Sequence, residues 1–98
     1  MKKVPIVIIL QAAEAWLDSA DAYYAQQAAN PTNLDVALTH CQYAFGILEF
    51  LNSLVRNGAS LQPETETCLD ELSKRQADLD AHILEASDSL EGIPHADP

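Results

Sequence analysis

The segment between Leu34 and Val55 is apolar over most of a helical circumference. At 3.6 residues per turn, one narrow strip of the helix is continuously polar and apolar residues fill most of the other directions. A helix of this kind must be covered on most sides, by its own chain or by a partner. The segment therefore favours a helical bundle and an interaction protein. The polar strip consists of Thr39, Gln42, Gly46, Glu49 and Ser53, with Asn52 near its edge.

Proline and glycine divide the chain of 98 residues into three helical segments. The patterns predict helices from about Pro5 to Ala29, from a cap at Thr32 or Asn33 to about Asn57, and from Pro63 to Gly92. Short links favour antiparallel neighbours. We therefore predict an all-α, three-helix antiparallel bundle with long helices, with a dimer as one option. A single domain over 1–92 and a flexible tail over 93–98 complete this organisation.

The N-terminal segment leaves alternatives open. Residues 4–9 are β-branched except at Pro5 and Leu10 follows them, so a short strand competes with the first helical turns. Lys2 and Lys3 before an apolar run also resemble a signal peptide. We favour the helix, because that run is short and contains a proline.

The predicted core draws one apolar stripe from each helix, and the polar Gln76 interrupts the third stripe. We expect Cys41 and Cys68 to be reduced, and a disulfide between them is the less favoured alternative. The first stripe is Ile6, Leu10, Ala13, Leu17, Ala20, Tyr24 and Ala28; the second is Leu34, Leu38, Cys41, Phe45, Leu48 and Val55; the third is Leu69, Leu72, Gln76, Leu79, Ile83, Ala86 and Leu90.

Further apolar residues remain outside these stripes. Those of the middle helix are covered either by the outer helices or by a partner, because large exposed apolar patches are rare on monomers. Tyrosine and phenylalanine are also typical interface anchors. On the first helix, a similar row that includes Ile9 fits the rim of a core more simply than a ligand site. The candidate partner-binding residues of this apolar kind are Val36, Tyr43, Ile47, Phe50, Leu54, Trp16 and Tyr23.

Negative charge is concentrated in the third helix of a chain whose formal net charge is -10. Glu71, Asp78 and Glu85 recur every seven residues and form one row. This row is either a solvated face or a surface that binds a basic partner. The acidity argues against direct binding of nucleic acid or of an anionic membrane. The pairs expected to balance it are Asp70–Lys74 and Glu71–Arg75.

The sequence contains no spacing that predicts a catalytic, metal or cofactor site. Asp78, His82 and Glu85 share one helical face, but a single histidine with two solvated carboxylates is typical of a surface cluster. The serines have no strand–turn–helix context that would make them nucleophiles. We therefore expect no enzymatic activity and no bound cofactor.

These observations predict a small cytoplasmic protein-binding module. Its expected role is that of an inhibitor or antagonist of a basic or nucleic-acid-handling protein, as in small acidic immunity proteins and phage-encoded inhibitors, which it matches only in size and charge. The alternative is a self-associating homodimeric bundle with a structural or regulatory role.

Overall fold

The computed structural model describes the backbone of residues 5–91 and the side chains of residues 5–88. Three helices pack against one another: α1 (Ile6–Ala25), α2 (Thr32–Arg56) and α3 (Pro63–Glu91). The predicted all-α three-helix bundle is therefore confirmed. The tail expected at 93–98 lies outside the described residues.

Helix α1 begins directly after Pro5, whose backbone is extended at φ -61° and ψ 140°. The Ile8 amide donates to the Pro5 carbonyl at 3.0 Å and closes the first turn. The strand considered for residues 4–9 is wrong over residues 6–9, which are helical, while Val4 lies outside the described residues. Local β-propensity is overridden because Leu10 and the residues after it carry the helical core stripe.

Helix α1 ends at Ala25, four residues before the predicted end at Ala29. Proline at position 31 disfavours a helical conformation at the preceding residue, so the chain has to turn before α2 begins. The side-chain amide of Asn33 donates to the Gln26 carbonyl at 3.0 Å and satisfies one acceptor at the end of α1. As a result Ala28, predicted to be part of the core, lies exposed in the turn.

The cap of α2 differs from the prediction. The side-chain oxygen of Asn30 accepts hydrogen bonds from the Thr32 amide at 3.0 Å and from the Thr32 hydroxyl at 2.9 Å. Asn30 therefore supplies the capping oxygen that was expected from Thr32 or Asn33. At the other end, Gly58 adopts φ 105° and lets the Ala59 amide reach the Leu54 carbonyl at 2.9 Å. This left-handed glycine is the predicted C-terminal cap.

The core follows the predicted stripe of α1 as far as Tyr24 and that of α3 as far as Ala86, but the stripe of α2 is displaced. The side chain of Leu90, predicted to be in the core, lies outside the described residues. Phe45, predicted to be buried, is 50% exposed, whereas Ala37 and Ala44 are fully buried. Asn52, one heptad after Phe45, donates to Ser73 of α3 at 3.1 Å, so this flank of α2 borders α3 instead of pointing into the centre. The buried apolar residues are Leu10, Ala13, Leu17, Ala20, Leu34, Ala37, Cys41, Ala44, Leu48, Leu51, Leu69, Leu72, Leu79 and Ile83.

Both cysteines are free thiols, Cys41 buried and Cys68 half-buried, so the disulfide alternative is wrong. Gln76 is buried as its place in the seam predicts. None of the described helices combines the length and the apolar content that crossing a membrane requires.

Candidate functional site

An open apolar groove of about 640 Å³ runs between α1 and α2. Its lining is apolar apart from Gln42, and it contains no charged residue. Apolar concavities with few polar groups are the usual form of a binding site. The lining consists of Ile9 and Trp16 from α1 and of Gln42, Tyr43, Gly46, Ile47 and Phe50 from α2.

Two of the large side chains of the groove are open to solvent, whereas Ile9, Trp16 and Ile47 are half-buried. Tyr43 is 50% exposed and Phe50 is 59% exposed. Trp16 meets Tyr43 edge to face, with ring centroids 4.8 Å apart and ring planes at 68°. Such a pair contributes about 0.5–1.5 kcal/mol beyond burial. This contact therefore holds together the wall that Trp16 and Tyr43 form along the groove.

His40 supports this wall from behind. Its ring centroid lies 4.9 Å from that of Trp16 and 5.4 Å from that of Tyr23, both edge to face. It lies 6.1 Å from the Tyr43 ring in a nearly parallel arrangement at 23°. The hydroxyl of Ser19 shares a hydrogen bond of 2.8 Å with His40 Nδ1. The side chain of His40 is thus held at the boundary between α1 and α2.

Gly46 leaves a gap in the α2 side of the groove. A Cβ atom built at this position would have no neighbour within 4 Å. Tyr43 and Phe50 lie one helical turn before and after it, so the gap is flanked by aromatic rings. The groove therefore has room at Gly46 for a side chain or a backbone from outside.

The structure brings together four of the predicted partner-binding residues, namely Trp16, Tyr43, Ile47 and Phe50. Tyr23 joins them indirectly through its contact with His40. The remaining apolar candidates do not line the groove: Val36 is half-buried and Leu54 is 41% exposed.

The acidic candidates lie elsewhere. Glu71 and Asp78 line a second groove of about 430 Å³, where they are joined by Asp21 of α1. Glu85 borders a smaller depression with Tyr24 and His82. Neither site shares a residue with the apolar groove. The apolar and acidic candidates therefore form separate surfaces.

Arg75 forms the main ion pairs of the acidic groove. Its guanidinium donates to Asp18 at 2.8 Å and to Asp21 at 2.6 Å, both on α1. The hydrogen bond that Arg75 donates to Asp21 is the main cause that raises the pKa of Arg75. The predicted Glu71–Arg75 pair is wrong, because Arg75 reaches across to α1 instead of along its own helix. Lys74 makes no ion pair with Asp70 among the described residues.

Sequence reasoning missed His40, Ser19 and Gly46 as parts of the site. Ser19 and His40 come into contact because of the way α1 and α2 are aligned along their axes. The apolar pattern within each helix carries no information about that alignment. Gly46 was grouped with the polar strip, although its cost in the interior of a helix could have been noticed.

The described residues contain no metal-binding cluster and one pair of side chains of a kind found in catalytic sites. Residues 5–88 contain no cluster of three His, Cys, Asp or Glu side chains that could hold a metal ion. The Ser19–His40 pair resembles part of a nucleophile–base arrangement. However, the described neighbours of the imidazole are aromatic rings and Ser19, and no carboxylate bonds to its other nitrogen.

Comparison with known proteins supplies no relative from which a role could be transferred. The chain matches no family model, no curated protein and no solved structure.

Proposed function

We propose that this chain is a non-enzymatic protein-binding module that seats an amphipathic helix of another polypeptide in the groove between α1 and α2. The observation that carries the proposal is that two half-exposed aromatic side chains, Tyr43 and Phe50, line an apolar groove. Water in contact with these rings is released when an apolar surface covers them, which favours association.

The shape of the groove favours a helix as the occupant. Ile9 and Trp16 are seven residues apart on α1, so the groove extends over about 10 Å. Two turns of a docked helix have this length and present apolar side chains at spacings of three, four and seven residues. The gap at Gly46 accepts one of these side chains between the neighbouring rings.

The acidic surface extends the proposal to a basic protein as the target. The formal net charge of -10 attracts basic partners over long range and speeds their encounter. Glu71 and Asp78 are exposed in a groove separate from the apolar one, so they remain available for such a target. An inhibitor or antagonist that covers a basic surface of a nucleic-acid-handling protein fits this distribution of charge.

The proposal includes a cytoplasmic location and the absence of catalysis. The two free thiols support a reducing compartment. In this proposal the hydrogen bond between Ser19 and His40 has a structural role. It holds an imidazole that packs against the rings of Trp16 and Tyr43.

Site-specific photo-cross-linking in the native cell tests the docking site. Benzoylphenylalanine replaces Phe50, which lines the groove, or Phe45, which is also about half-exposed on α2 but lies outside the groove. We expect a discrete cross-linked product from position 50 and none from position 45. Equal products from both positions, or none from position 50, would contradict the proposal.

A salt series tests the basic target separately. Proteins retained on the immobilised chain at low salt should be released as salt rises, and Glu71→Gln/Asp78→Gln should retain less of them. Retention that is insensitive to both changes would remove the basic target from the proposal.

A further inference from the structure

Gly46 has no explanation within the single chain. Glycine in the interior of a helix costs about 1 kcal/mol relative to alanine. No atom of the described structure lies close enough to Gly46 to exclude a methyl group, and its backbone is helical. Close approach of another molecule to this face of α2 would give the glycine a structural role.

The distribution of charge indicates which kind of molecule fits this face of α2. Within α2 the charged residues are Asp35, Glu49 and Arg56, and the last two pair with each other at 2.6 Å. The segment of α3, in contrast, contains nine acidic residues and two basic residues. A basic partner would meet little negative charge on α2 and so gain little attraction. A second copy of this acidic chain would also meet little negative charge there and so be repelled little. The charge-poor face thus suits self-association.

We propose that the helix seated in the groove is α2 of a second copy, related by a two-fold axis that passes close to Gly46. This inference rests on the proposed function and names its occupant. If the two copies of α2 cross antiparallel at Gly46, Tyr43 of one copy lies beside Phe50 of the other. Their positions along the helix axis then differ by only the rise of one residue. The missing side chains at Gly46 let the two helix backbones approach closely.

The acidic grooves stay outside this interface, because none of their residues lines the apolar groove. Because these charges lie outside the contact, solvent and salt screen the repulsion between the two copies. The proposed dimer presents two acidic surfaces to the same basic target.

Sedimentation of the purified chain over a concentration series tests the dimer. We expect a monomer–dimer equilibrium for wild type and for Phe45→Asp. Gly46→Leu should weaken dimerisation at least about tenfold, because its side chain blocks the close approach, while it raises the melting temperature of the monomer through better helix propensity. A wild type that stays monomeric, or a Gly46→Leu dimer of unchanged affinity, overturns the inference.

Cysteine cross-linking supplies a second measurement. In a Cys68→Ser background, Gly46→Cys should form a disulfide-linked dimer under mild oxidation and Phe45→Cys should not. The photo-cross-links from position 50 distinguish a failure of the dimer from a failure of the docking function. A product containing a different protein, with a monomeric purified chain, overturns the dimer and keeps the docking function. A monomeric chain without any product from position 50 overturns both.

Discussion

Trp16 of α1 and Tyr43 of α2 meet edge to face with ring centroids 4.8 Å apart, and this pair forms the wall of the apolar groove. His40 lies behind both rings, with its centroid 4.9 Å from that of Trp16. A wall that is already packed in the free protein reduces the entropy lost on binding. The groove is thus a preformed surface.

Tyr43→Ala should loosen this wall. Trp16 is the single tryptophan of the chain, so its fluorescence reports directly on the groove. We expect a shift of its emission to longer wavelength as water gains access, and a loss of about 1–2 kcal/mol in the free energy of unfolding. Phe45→Ala removes an equally exposed ring that does not line the groove, and it should leave the emission maximum in place. Equal spectra for wild type and Tyr43→Ala would contradict this account of the wall.

Gln76→Leu should raise stability or leave it unchanged. Gln76 is 8% exposed, and its side-chain amide donates to Cys41 Sγ at 3.5 Å, a weak acceptor. An apolar side chain of similar size removes a poorly satisfied polar group. Urea denaturation should therefore show a gain of up to about 1 kcal/mol. As a control, Leu72→Gln places a glutamine at a buried apolar position and should be clearly destabilising. A loss of stability in Gln76→Leu would show that the amide of Gln76 contributes more than its contact with Cys41 indicates.

Cys41 should make the stability of the protein fall at alkaline pH. Burial is the main cause that raises the pKa of the Cys41 thiol, with smaller contributions from Asp80 and Asp21 against an opposing hydrogen bond from Gln76. In the unfolded chain a thiol ionises near pH 8.5. Above that pH the unfolded state loses a proton that the folded state keeps, so unfolding becomes easier as pH rises.

Unfolding free energies measured between pH 7 and 10 check this prediction. The decline for wild type should be steeper than for Cys41→Ala, by at most about 1.4 kcal/mol per pH unit. Thiol labelling of the folded protein should also modify half-buried Cys68 well before Cys41. Equal slopes for the two proteins, or rapid labelling of Cys41, would argue against its burial.

Arg75→Gln should destabilise the contact between α1 and α3. It removes the two ion pairs with Asp18 and Asp21, whose carboxylates are at least half exposed. Because solvent screens such pairs, we expect a loss of about 0.5–1 kcal/mol at low salt and a smaller loss at high salt. Lys74→Gln is the matched control, since the neighbouring lysine makes no described ion pair and its loss should have little effect. A loss that does not depend on salt would point to packing of the arginine stem instead.

The fold was predictable because the helical patterns and their breaks are strong. Leu10, Leu17 and Leu69 are buried where their spacing placed them, and Pro63 begins α3 as predicted. Helix ends were less certain: α1 ends at Ala25 and not at Ala29, and the Gln26 carbonyl just after it accepts a hydrogen bond from Asn33 of the next helix.

The side of α2 that enters the core could not be predicted from apolar character alone. With apolar residues in most directions, the pattern did not distinguish Phe45 from Ala44, and the smaller residue is the buried one. Tyr43 and Phe50 repeat every seven residues, and the pattern alone was enough to predict that they share one side of α2; both line the groove. The contact between Tyr43 and Trp16 depends on how α1 and α2 are aligned. No repeat within a single helix specifies that alignment.

The size of the native assembly, measured by sedimentation of cell extract together with melting of the purified protein, tests the central claim most directly. The claim is that the groove around Phe50 binds another polypeptide and contributes little to folding. Wild type and Phe45→Asp should sediment faster than the single chain, whereas Phe50→Asp should sediment as a monomer with a nearly unchanged melting temperature. If Phe50→Asp unfolds, or if it keeps the wild-type assembly, the groove is not the docking surface.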